Sequence, residues 1–392
     1  MTDSPIVWLD AVRARAFVLW LQAIAPTHGL LPDTVEPASA DASFRRYFRV
    51  RTLAGASCII MDAPPAHEDC APFVKVAELM AGAGLNAPRV LDWNRAEGFM
   101  LLSDLGAKTM LEVIEQQPEA DREKRAYTLY REAIDALVRW QGASRPGVLP
   151  PYDDALLSRE LALFPDWYVQ RHRGIAVNDA LRNKLDPLFA QIKASNLQSL
   201  DGARVYVHRD FMPRNLMVGG PIEAAGVRNL SSPTGAAEPA LPGRRRSAPS
   251  GGSEPHEVGS VGVLDFQDAV YGPITYDIAS LMRDAFISWP EDFVLEITVR
   301  YWEQARKAGL PVGDDFGEFY RAVEWMGLQR HLKILGIFAR LTLRDGKPKY
   351  LADTPRFIGY ARATCARYRQ LGPLMVLLDE IEGNETRVGY TF

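Results

Sequence analysis

A chain of 392 residues is long enough to bury a large core and to form two lobes or domains. Its apolar content of 47% and charged content of 24% are ordinary for a globular protein, and its net charge of −4 predicts no basic surface for nucleic acid. The cysteines, Cys58, Cys70 and Cys365, are too few and too widely spaced for a disulfide framework or a zinc site, which favours a reducing compartment.

The first predicted element is an amphipathic helix close to the N-terminus. Apolar side chains recur at helical spacing between Leu9 and Ala23, and the pattern stops near Pro26 and Gly29. Gln22 interrupts the apolar run, and the sequence holds no apolar run of about 18 residues that would predict a membrane span. We therefore expect a cytoplasmic protein that does not enter a membrane.

A run of small residues from Ala38 to Ser43 predicts a tight turn, and the strands expected after it lie near 47–50 and 57–61. A turn of this kind between strands can present backbone N–H groups to phosphate oxygens. Ser39 and Ser43 can add hydroxyl donors, and Arg45 can add positive charge. These three residues are therefore candidates for binding the phosphates of a nucleotide.

The second of these strands ends in the sequence MDAPP, where a kinase normally carries a lysine that binds the nucleotide phosphates. Lys75, Arg45 or Arg46 can supply the missing positive charge. Equally, Lys75 and Glu78 can form a solvated face of the helix predicted over residues 71–84. The sequence does not decide between the two interpretations.

Two further strands are predicted before a break with the sequence SDLG. In a kinase-like order of elements this break is the hinge, where backbone groups bind the adenine and apolar side chains enclose it. Leu102, Ser103 and Leu105 are therefore candidates for binding the nucleotide base. From about Lys108 the pattern becomes mainly helical, so we expect a domain boundary after residue 106.

The sequence VYVHRDFMPRNLMV contains the H-R-D-x-x-x-x-N spacing of a kinase catalytic loop, and short strand-like runs flank it. In this spacing Asp210 meets a substrate hydroxyl, and the amide oxygen of Asn215 reaches a magnesium ion held by nucleotide phosphates. His208 opens the motif. A β-hairpin with a polar turn is the plain structural alternative, and the residues that follow weigh against it.

A buried strand over 261–264 ends in Asp265, at the position where a second magnesium ligand is required beside Asn215. Asp277 lies near the start of a predicted helix, which it can simply cap. Asp210, Asn215 and Asp265 in this order are more specific than any one of them alone. Three further residues near these motifs are candidates for contacting the substrate: Arg214, Asp268 and Tyr271.

Residues 219–260 are rich in Gly, Pro and Ser and lack apolar periodicity, so burial cannot offset the entropy lost on ordering them. We predict a disordered insertion there, between two catalytic strands. The predicted fold class is α+β. A small β-rich lobe with a leading helix, residues 1–106, binds nucleotide, and a larger, mainly helical lobe, residues 107–392, carries the catalytic loop and the acceptor site.

These motifs resemble the aminoglycoside phosphotransferase family, whose fold is similar to that of protein kinases. The stretches HRDFMPRN and LDFQDAVYGPITYDIASLMRD carry this resemblance. VEPASADASFRRYFRV, MDAPP and EDCAPFVKVAELM narrow it to the bacterial N-acetylmuramate/N-acetylglucosamine anomeric kinases. Enzymes of that group use ATP to phosphorylate the C1 hydroxyl of the sugar in cell-wall recycling, and the MDAPP stretch without its lysine fits the group.

The resemblance implies a protein-kinase-like, two-lobed fold, ATP and Mg²⁺ as cofactors, and a small amino sugar as the partner. It implies that Asp210 is the catalytic base, that Asn215 and Asp265 bind magnesium, and that His208 and Asp277 are structural residues, with Asp277 bracing the catalytic loop. Two alternatives stay open: another acceptor, such as an aminoglycoside or a small alcohol, and a pseudokinase that binds nucleotide without turnover.

Overall fold

The computed structural model describes residues 6, 8, 10–40, 45–219 and 261–384. The predicted insertion, apart from Gly219, lies outside the described residues. The described chain divides into two compact units. The first consists of residues up to Glu68 together with Val90–Gly106, and the second consists of Asp69–Arg89, Ala107–Gly219 and the described residues beyond 260.

The first unit is a five-stranded antiparallel sheet with one helix. Its elements are α1 (Ala11–His28), β1 (Leu30–Ala40), β2 (Arg46–Thr52), β3 (Ser57–Asp62), β4 (Val90–Asn94) and β5 (Phe99–Ser103). The strand order is β1-β2-β3-β5-β4, so β1 is an edge strand and tolerates Pro32 and Pro37. Because β1 extends to Ala40, the turn predicted from residue 38 onward was placed too early.

Helix α1 packs its aromatic residues against this sheet. Phe17 and Trp20 contact Phe99 of β5, and all three side chains are buried. Asp10 caps the first turn by accepting a backbone hydrogen bond at 2.8 Å, and Gly29 ends the helix with a φ of 61°. The helix and its end are where the amphipathic pattern predicted them.

The second unit is mainly helical. Its helices are α2 (Ala71–Gly82), α3 (Met110–Glu115), α4 (Glu119–Gly142), α5 (Asp154–Leu163), α6 (Asp179–Gly202), α7 (Thr275–Met282), α8 (Glu291–Lys307), α9 (Phe316–Leu343), α10 (Thr354–Arg367) and α11 (Gly372–Glu382), with a π-helix at Phe164–His172 and 3₁₀ turns at Pro213–Asn215, Pro348–Asp353 and Arg369–Leu371. Its short strands are β6 (Lys108–Thr109), β7 (Arg204–Val207), β8 (Leu216–Val218), β9 (Gly262–Val263) and β10 (Val270–Pro273). None of the helices in the described ranges combines the length and the apolar character needed to cross a membrane.

Helix α9 forms the core of the second unit, and nearly all of its side chains from Phe319 to Gly336 are buried. A Cβ at Gly336 would lie 2.3 Å from the carbonyl oxygen of Leu163, so glycine is what allows α9 to approach the end of α5 this closely. Polar side chains interrupt the apolar surface of α9, among them Gln329, Arg330 and Lys333. Buried polar groups need hydrogen-bond partners, and those of these three residues lie at the site described next.

Candidate active site

Two antiparallel strand pairs set the geometry around the HRD motif, since β7 pairs with β10 and β8 pairs with β9. Residues 208–215, here called the HRD loop, connect β7 to β8, and residues 264–269, here called the DFQD loop, connect β9 to β10. The two pairings place the loops side by side. A hydrogen bond of 2.9 Å from the N–H of Leu264 to the carbonyl of Asn215 joins them directly.

His208 links the two loops and is fully buried. Its Nε2 lies 3.0 Å from the carbonyl oxygen of Leu264, and its Nδ1 accepts the backbone N–H of Asp210 at 3.2 Å. Because a carbonyl can only accept, Nε2 carries the proton and the ring is neutral. Burial lowers the pKa of His208, which favours the same neutral form. His208 therefore fixes the backbone on which Asp210 sits.

Asp277, in the first turn of α7, holds the start of the HRD loop. Its carboxylate accepts the backbone N–H of His208 at 2.7 Å and that of Arg209 at 3.0 Å. The side chain is fully buried, and burial raises its pKa, an effect that the neighbouring His208 and the two amide bonds oppose. The acid thus shapes the loop through its main chain.

Each loop contains one residue in the left-handed backbone region. Arg209 has a φ of 79° and Asp265 a φ of 63°, values that are uncommon for residues with a side chain. Such a conformation costs about 1–3 kcal/mol and persists only where the surrounding contacts fix it. Arg209 directly precedes Asp210, and Asp265 is itself one of the predicted site residues, so the strain lies in the two loops that carry the site.

Asn215 and Asp265 meet where β8 begins and β9 ends. The Asn215 amide nitrogen lies 3.4 Å from an Asp265 carboxylate oxygen and donates to the Asp210 carbonyl at 2.9 Å, and Gln267 donates to the other Asp265 oxygen at 2.7 Å. Carboxylate and amide oxygens are the ligands that Mg²⁺ takes in proteins. In the part of the chain that the structure describes, no group of three His, Cys, Asp or Glu forms a metal cage. Asn215 and Asp265 are residues of the type that could hold such an ion.

Asp210 is half-buried, and its backbone is fixed on both sides. Its N–H is bonded to His208 and its carbonyl to the Asn215 amide, at 3.2 and 2.9 Å. Its carboxylate receives no hydrogen bond from any other residue in the described ranges. A fixed main chain and a carboxylate with its acceptor sites available are what a group that receives a substrate proton requires.

The three predicted substrate residues lie in different settings. Arg214 is exposed in the HRD loop, and its guanidinium stands 4.6 Å from the centre of the Phe286 ring. Asp268 is exposed in the DFQD loop. Tyr271 lies in β10, where its ring is 6.4 Å from that of Tyr206 in an edge arrangement. The structure thus places Arg214 and Asp268 in the same loops as Asp210 and Asp265, and Tyr271 in the strand that follows.

Sequence reasoning missed Glu160 on α5, a buried acid that contacts the HRD loop. One carboxylate oxygen accepts from Arg209 at 2.7 Å and from Lys333 at 2.8 Å, and the other accepts from the Tyr152 hydroxyl at 2.6 Å and from Gln329 at 3.0 Å. The available signal was the set of polar residues inside the apolar pattern of α9, which need a buried partner. Nothing in the sequence pointed to Glu160 as that partner.

The part of the chain that carries both loops matches a known family. A sequence profile described as the phosphotransferase enzyme family matches residues 34–227 and 255–314. The chain belongs to the phosphotransferase enzyme family.

A relative of this phosphotransferase from Pseudomonas aeruginosa, named N-acetylmuramate/N-acetylglucosamine kinase, is 43% identical over 95% of this chain and 94% of its own length. A relative with the same name from Neisseria meningitidis serogroup B is 43% identical over 95% of this chain and 97% of its own length. The resemblance drawn from the motifs is confirmed.

Solved structures show the fold of the phosphotransferase. An amicoumacin kinase in complex with AMP-PNP aligns with a TM-score of 0.55 at 14% identity, over 89% of this chain and 94% of the kinase. This likeness confirms the predicted α+β, protein-kinase-like fold class. The β-rich first unit and the larger, mainly helical second unit agree with the expected content of the two lobes.

The residues predicted to bind the nucleotide base lie in the first unit of the phosphotransferase. Leu102 and Leu105 are buried, and Ser103 ends β5. Between them, Asp104 accepts a hydrogen bond from the Nε of Arg49 at 2.6 Å. Burial opposes ionisation of Asp104, but its hydrogen bonds outweigh this and lower its pKa. The ion pair fixes the segment whose backbone was expected to bind the adenine.

Of the residues predicted to bind the phosphates, Ser43 lies outside the described residues and Ser39 lies in β1 opposite Tyr47. Arg45 precedes β2, and its guanidinium is 3.0 Å from the carboxylate of Glu68. Arg45 thus pairs with an acid of its own unit and lies directly before β2.

The structure explains the MDAPP stretch. Asp62 is buried and accepts hydrogen bonds from Arg13 at 2.6 Å and from Arg46 at 2.5 Å. Lys75, in the second unit, donates to the carbonyl of Val148 at 2.5 Å. Since Arg45 is paired with an acid as well, each of the three candidates for the missing lysine has a protein partner.

Proposed function

We propose that this phosphotransferase is an ATP-dependent sugar kinase that phosphorylates the anomeric C1 hydroxyl of N-acetylmuramate and N-acetylglucosamine, in the recycling of cell-wall sugars. The observation that carries the proposal is the 43% identity over 95% of the chain to relatives named for those two sugars. The arrangement of Asp210, Asn215 and Asp265 supports it, because a phosphoryl-transfer site requires these groups in this order.

In this proposal Asp210 is the catalytic residue that accepts a hydrogen bond from the C1 hydroxyl and orients it. An anomeric hydroxyl is more acidic than other sugar hydroxyls, so orientation and charge matter more than a strong base. Asn215 and Asp265 would hold Mg²⁺, which neutralises charge on the phosphates when it is bound. Asp277 and His208 keep the HRD loop in place through the contacts described above.

We assign nucleotide binding to residues 1–106 and the acceptor site to residues 107–392. Backbone groups at Leu102, Ser103 and Leu105 are proposed to bind adenine, and Ser39, Ser43 and Arg45 are proposed to contact the phosphates. Because the proposed reaction consumes ATP, which is made in the cytoplasm, we propose that the protein acts in the cytoplasm.

The two proposed sugars differ in one group, since N-acetylmuramate carries a lactyl carboxylate that N-acetylglucosamine lacks. Arg214 suits that carboxylate, because it is exposed in the HRD loop and makes no ion pair within the described residues. Its stacking on Phe286 limits the motion of the guanidinium. Asp268 and Tyr271 are proposed to contact sugar hydroxyls.

A turnover assay with Mg²⁺ and ATP tests the proposal. N-acetylglucosamine and N-acetylmuramate should each be converted to a 1-phosphate that no longer reacts as a reducing sugar. The methyl glycosides of the same sugars have no free C1 hydroxyl and should not be phosphorylated. Phosphorylation of a methyl glycoside would overturn the assignment of the anomeric position.

Two variants complete the assay. Asp210→Ala should lower kcat by about 100-fold or more while the melting temperature is kept. Asp186→Ala removes an exposed acid of α6 in the same unit and should leave kcat unchanged. A wild-type protein that binds ATP but phosphorylates neither sugar would favour the pseudokinase, and turnover of an aminoglycoside instead would favour the other acceptor class.

A further inference from the structure

Arg209, the middle residue of the HRD triplet, is held at four points. Its N–H donates to Asp277 at 3.0 Å and its carbonyl accepts from Arg330 at 2.9 Å. Its guanidinium donates to Glu160 at 2.7 Å and, more weakly, to the carbonyl of Asp268 at 3.4 Å. Because its φ of 79° is unfavourable for a residue with a side chain, these contacts must supply the free energy that keeps it there. Arg209 directly precedes Asp210, so its conformation sets where the Asp210 carboxylate points.

Glu160, which holds the Arg209 side chain, is a buried acid with a residue exposure of 4%. Each of its oxygens accepts two hydrogen bonds, and two of the four donors are the cations Arg209 and Lys333. Burial alone would raise its pKa, but Lys333 and Arg209 outweigh burial and lower the pKa of Glu160 to about 2. Glu160 is therefore ionised at every ordinary pH.

The charge balance around Glu160 explains why the contact is strong. Arg209 and Lys333 lie 2.7 and 2.8 Å from the same oxygen of Glu160. A third cation, Arg330, is also buried and lies over the ring of Tyr276 at 4.6 Å. Without the Glu160 charge these cations would repel one another in a region with little water. The Arg209 side chain, which is the most exposed of the three cations, would then leave this position.

The four donors to Glu160 fall into two sets. Tyr152, Gln329 and Lys333 lie outside both loops, and their bonds join α5 to its neighbours in the helical unit. Arg209 is the member that belongs to the HRD loop. The contact with the loop can thus be removed at Arg209 while the Glu160–Lys333 pair, with equal and opposite charges, stays in place.

We propose that Glu160 is a positioning residue for phosphoryl transfer, which acts by holding the Arg209 side chain so that the HRD loop presents Asp210 to the acceptor. The proposal rests on the proposed role of Asp210. It adds to that role a structural anchor on α5, 49 residues before Arg209 in the sequence.

The first experiment compares steady-state kinetics of Glu160→Gln and Arg209→Gln with those of the wild type. Misplacing a reacting group by about 1 Å can cost about 100-fold, so we expect kcat to fall about 10- to 100-fold in both variants. KM for ATP and for the sugar should change by less than about threefold, because the binding groups themselves are intact. The double variant should be no slower than Arg209→Gln, since both changes remove the Glu160–Arg209 contact and Arg209→Gln alone also removes the weaker bond to the Asp268 carbonyl.

Glu382→Gln is the matched control. Glu382 also accepts from a tyrosine hydroxyl, that of Tyr168 at 2.8 Å, and lies near an arginine, Arg173 at 3.8 Å, but it ends α11 and contacts neither loop. It should keep the wild-type kcat. If Glu160→Gln does not fold, Arg209→Gln decides the matter, because it leaves the Glu160–Lys333 ion pair intact.

Hydrogen–deuterium exchange gives a readout that does not depend on turnover. Peptides that cover residues 205–212 should exchange at least about tenfold faster in Glu160→Gln and Arg209→Gln than in the wild type, because the amides bonded to Asp277 and His208 open more often. Wild-type exchange of this segment together with wild-type kcat in a folded variant would overturn the inference. Loss of protection in a protein that phosphorylates neither sugar would support the anchor and reject the proposed function.

Discussion

Two buried aspartates, one in each unit, show how differently the same side chain can act in this phosphotransferase. Asp62 in β3 and Asp277 in α7 both have a residue exposure of 0%. Asp62 accepts hydrogen bonds from two guanidinium groups, those of Arg13 and Arg46. Asp277 accepts hydrogen bonds from two backbone amides, those of His208 and Arg209.

The difference lies in what each acid fixes. Asp62 neutralises positive charge and joins α1 to β2 and β3, so its loss should be felt as lost stability of the sheet. Asp277 makes bonds to the main chain, so its loss should change the conformation of the HRD loop even in a folded protein. Burial alone therefore does not identify an acid that shapes the HRD loop, because what matters is whether its donors belong to that loop.

Asp277→Asn should have the largest effect. The amide can accept one of the two backbone N–H groups but presents its own N–H₂ to the other, which leaves the start of the HRD loop unsatisfied. We expect kcat to fall by about 100-fold, which corresponds to about 2.7 kcal/mol of transition-state stabilisation. Steady-state kinetics on folded protein, checked by circular dichroism, measures this. A folded variant with wild-type kcat would show that the two acids act alike.

Asp62→Asn should lower the free energy of unfolding and leave kcat almost unchanged. It removes the charge that Arg13 and Arg46 share, while Arg13 keeps Glu97 at 3.6 Å. Because the two arginine side chains are 13% and 33% exposed, we expect a loss of about 2 kcal/mol, below the usual cost of breaking a buried pair. Urea unfolding measures the loss. The kcat of the folded variant should stay within about twofold of the wild type. A large fall in kcat without a loss of stability would give Asp62 a part in catalysis.

The parts of the site that sequence predicted are those set by local spacing. Asp210 and Asn215 occur in one short loop, and Asp265 ends a strand whose apolar residues are easy to recognise. The role of Asp277 was implied by the family resemblance, but the roles of Glu160 and Asp62 could not be predicted, because each pairs with a distant segment. Glu160 and Arg209 are 49 residues apart, as are Arg13 and Asp62, and no periodicity relates them.

The fold was predictable for a similar reason. The apolar period of α1 and the strand patterns of β2, β3 and β5 are intrinsic to those segments, and the structure shows each of them. Strand β1 was missed because Pro32 and Pro37 argue against a central strand, and sequence alone does not show that this strand lies at an edge. Its pairing with β2 depends on contacts that form only in the folded sheet.

Arg214 differs from the two buried aspartates, because it makes no ion pair within the described residues. If Arg214 recognises the lactyl carboxylate, Arg214→Gln should lower kcat/KM for N-acetylmuramate by about tenfold, or about 1.4 kcal/mol. The value for N-acetylglucosamine should be unchanged. Arg182→Gln, an exposed arginine of α6, is the control and should affect neither sugar. Equal losses for both sugars would place Arg214 in the general mechanism and not in selectivity.

Glu160 combines features of both aspartates, because it binds side chains, as Asp62 does, but one of them belongs to the HRD loop, as the donors to Asp277 do. Its pKa falls from 4.5 to about 2 on folding, so its charge contributes stability that is complete well above pH 4.5 and is lost as the pH falls toward 2. The difference in unfolding free energy between the wild type and Glu160→Gln should therefore be constant from about pH 6 to about pH 8 and should shrink by about 1 kcal/mol near pH 3.5. Urea midpoints across this range measure it. A difference that changed instead between about pH 6 and pH 8 would mean that a group other than the Glu160 carboxylate controls the charge of this cluster.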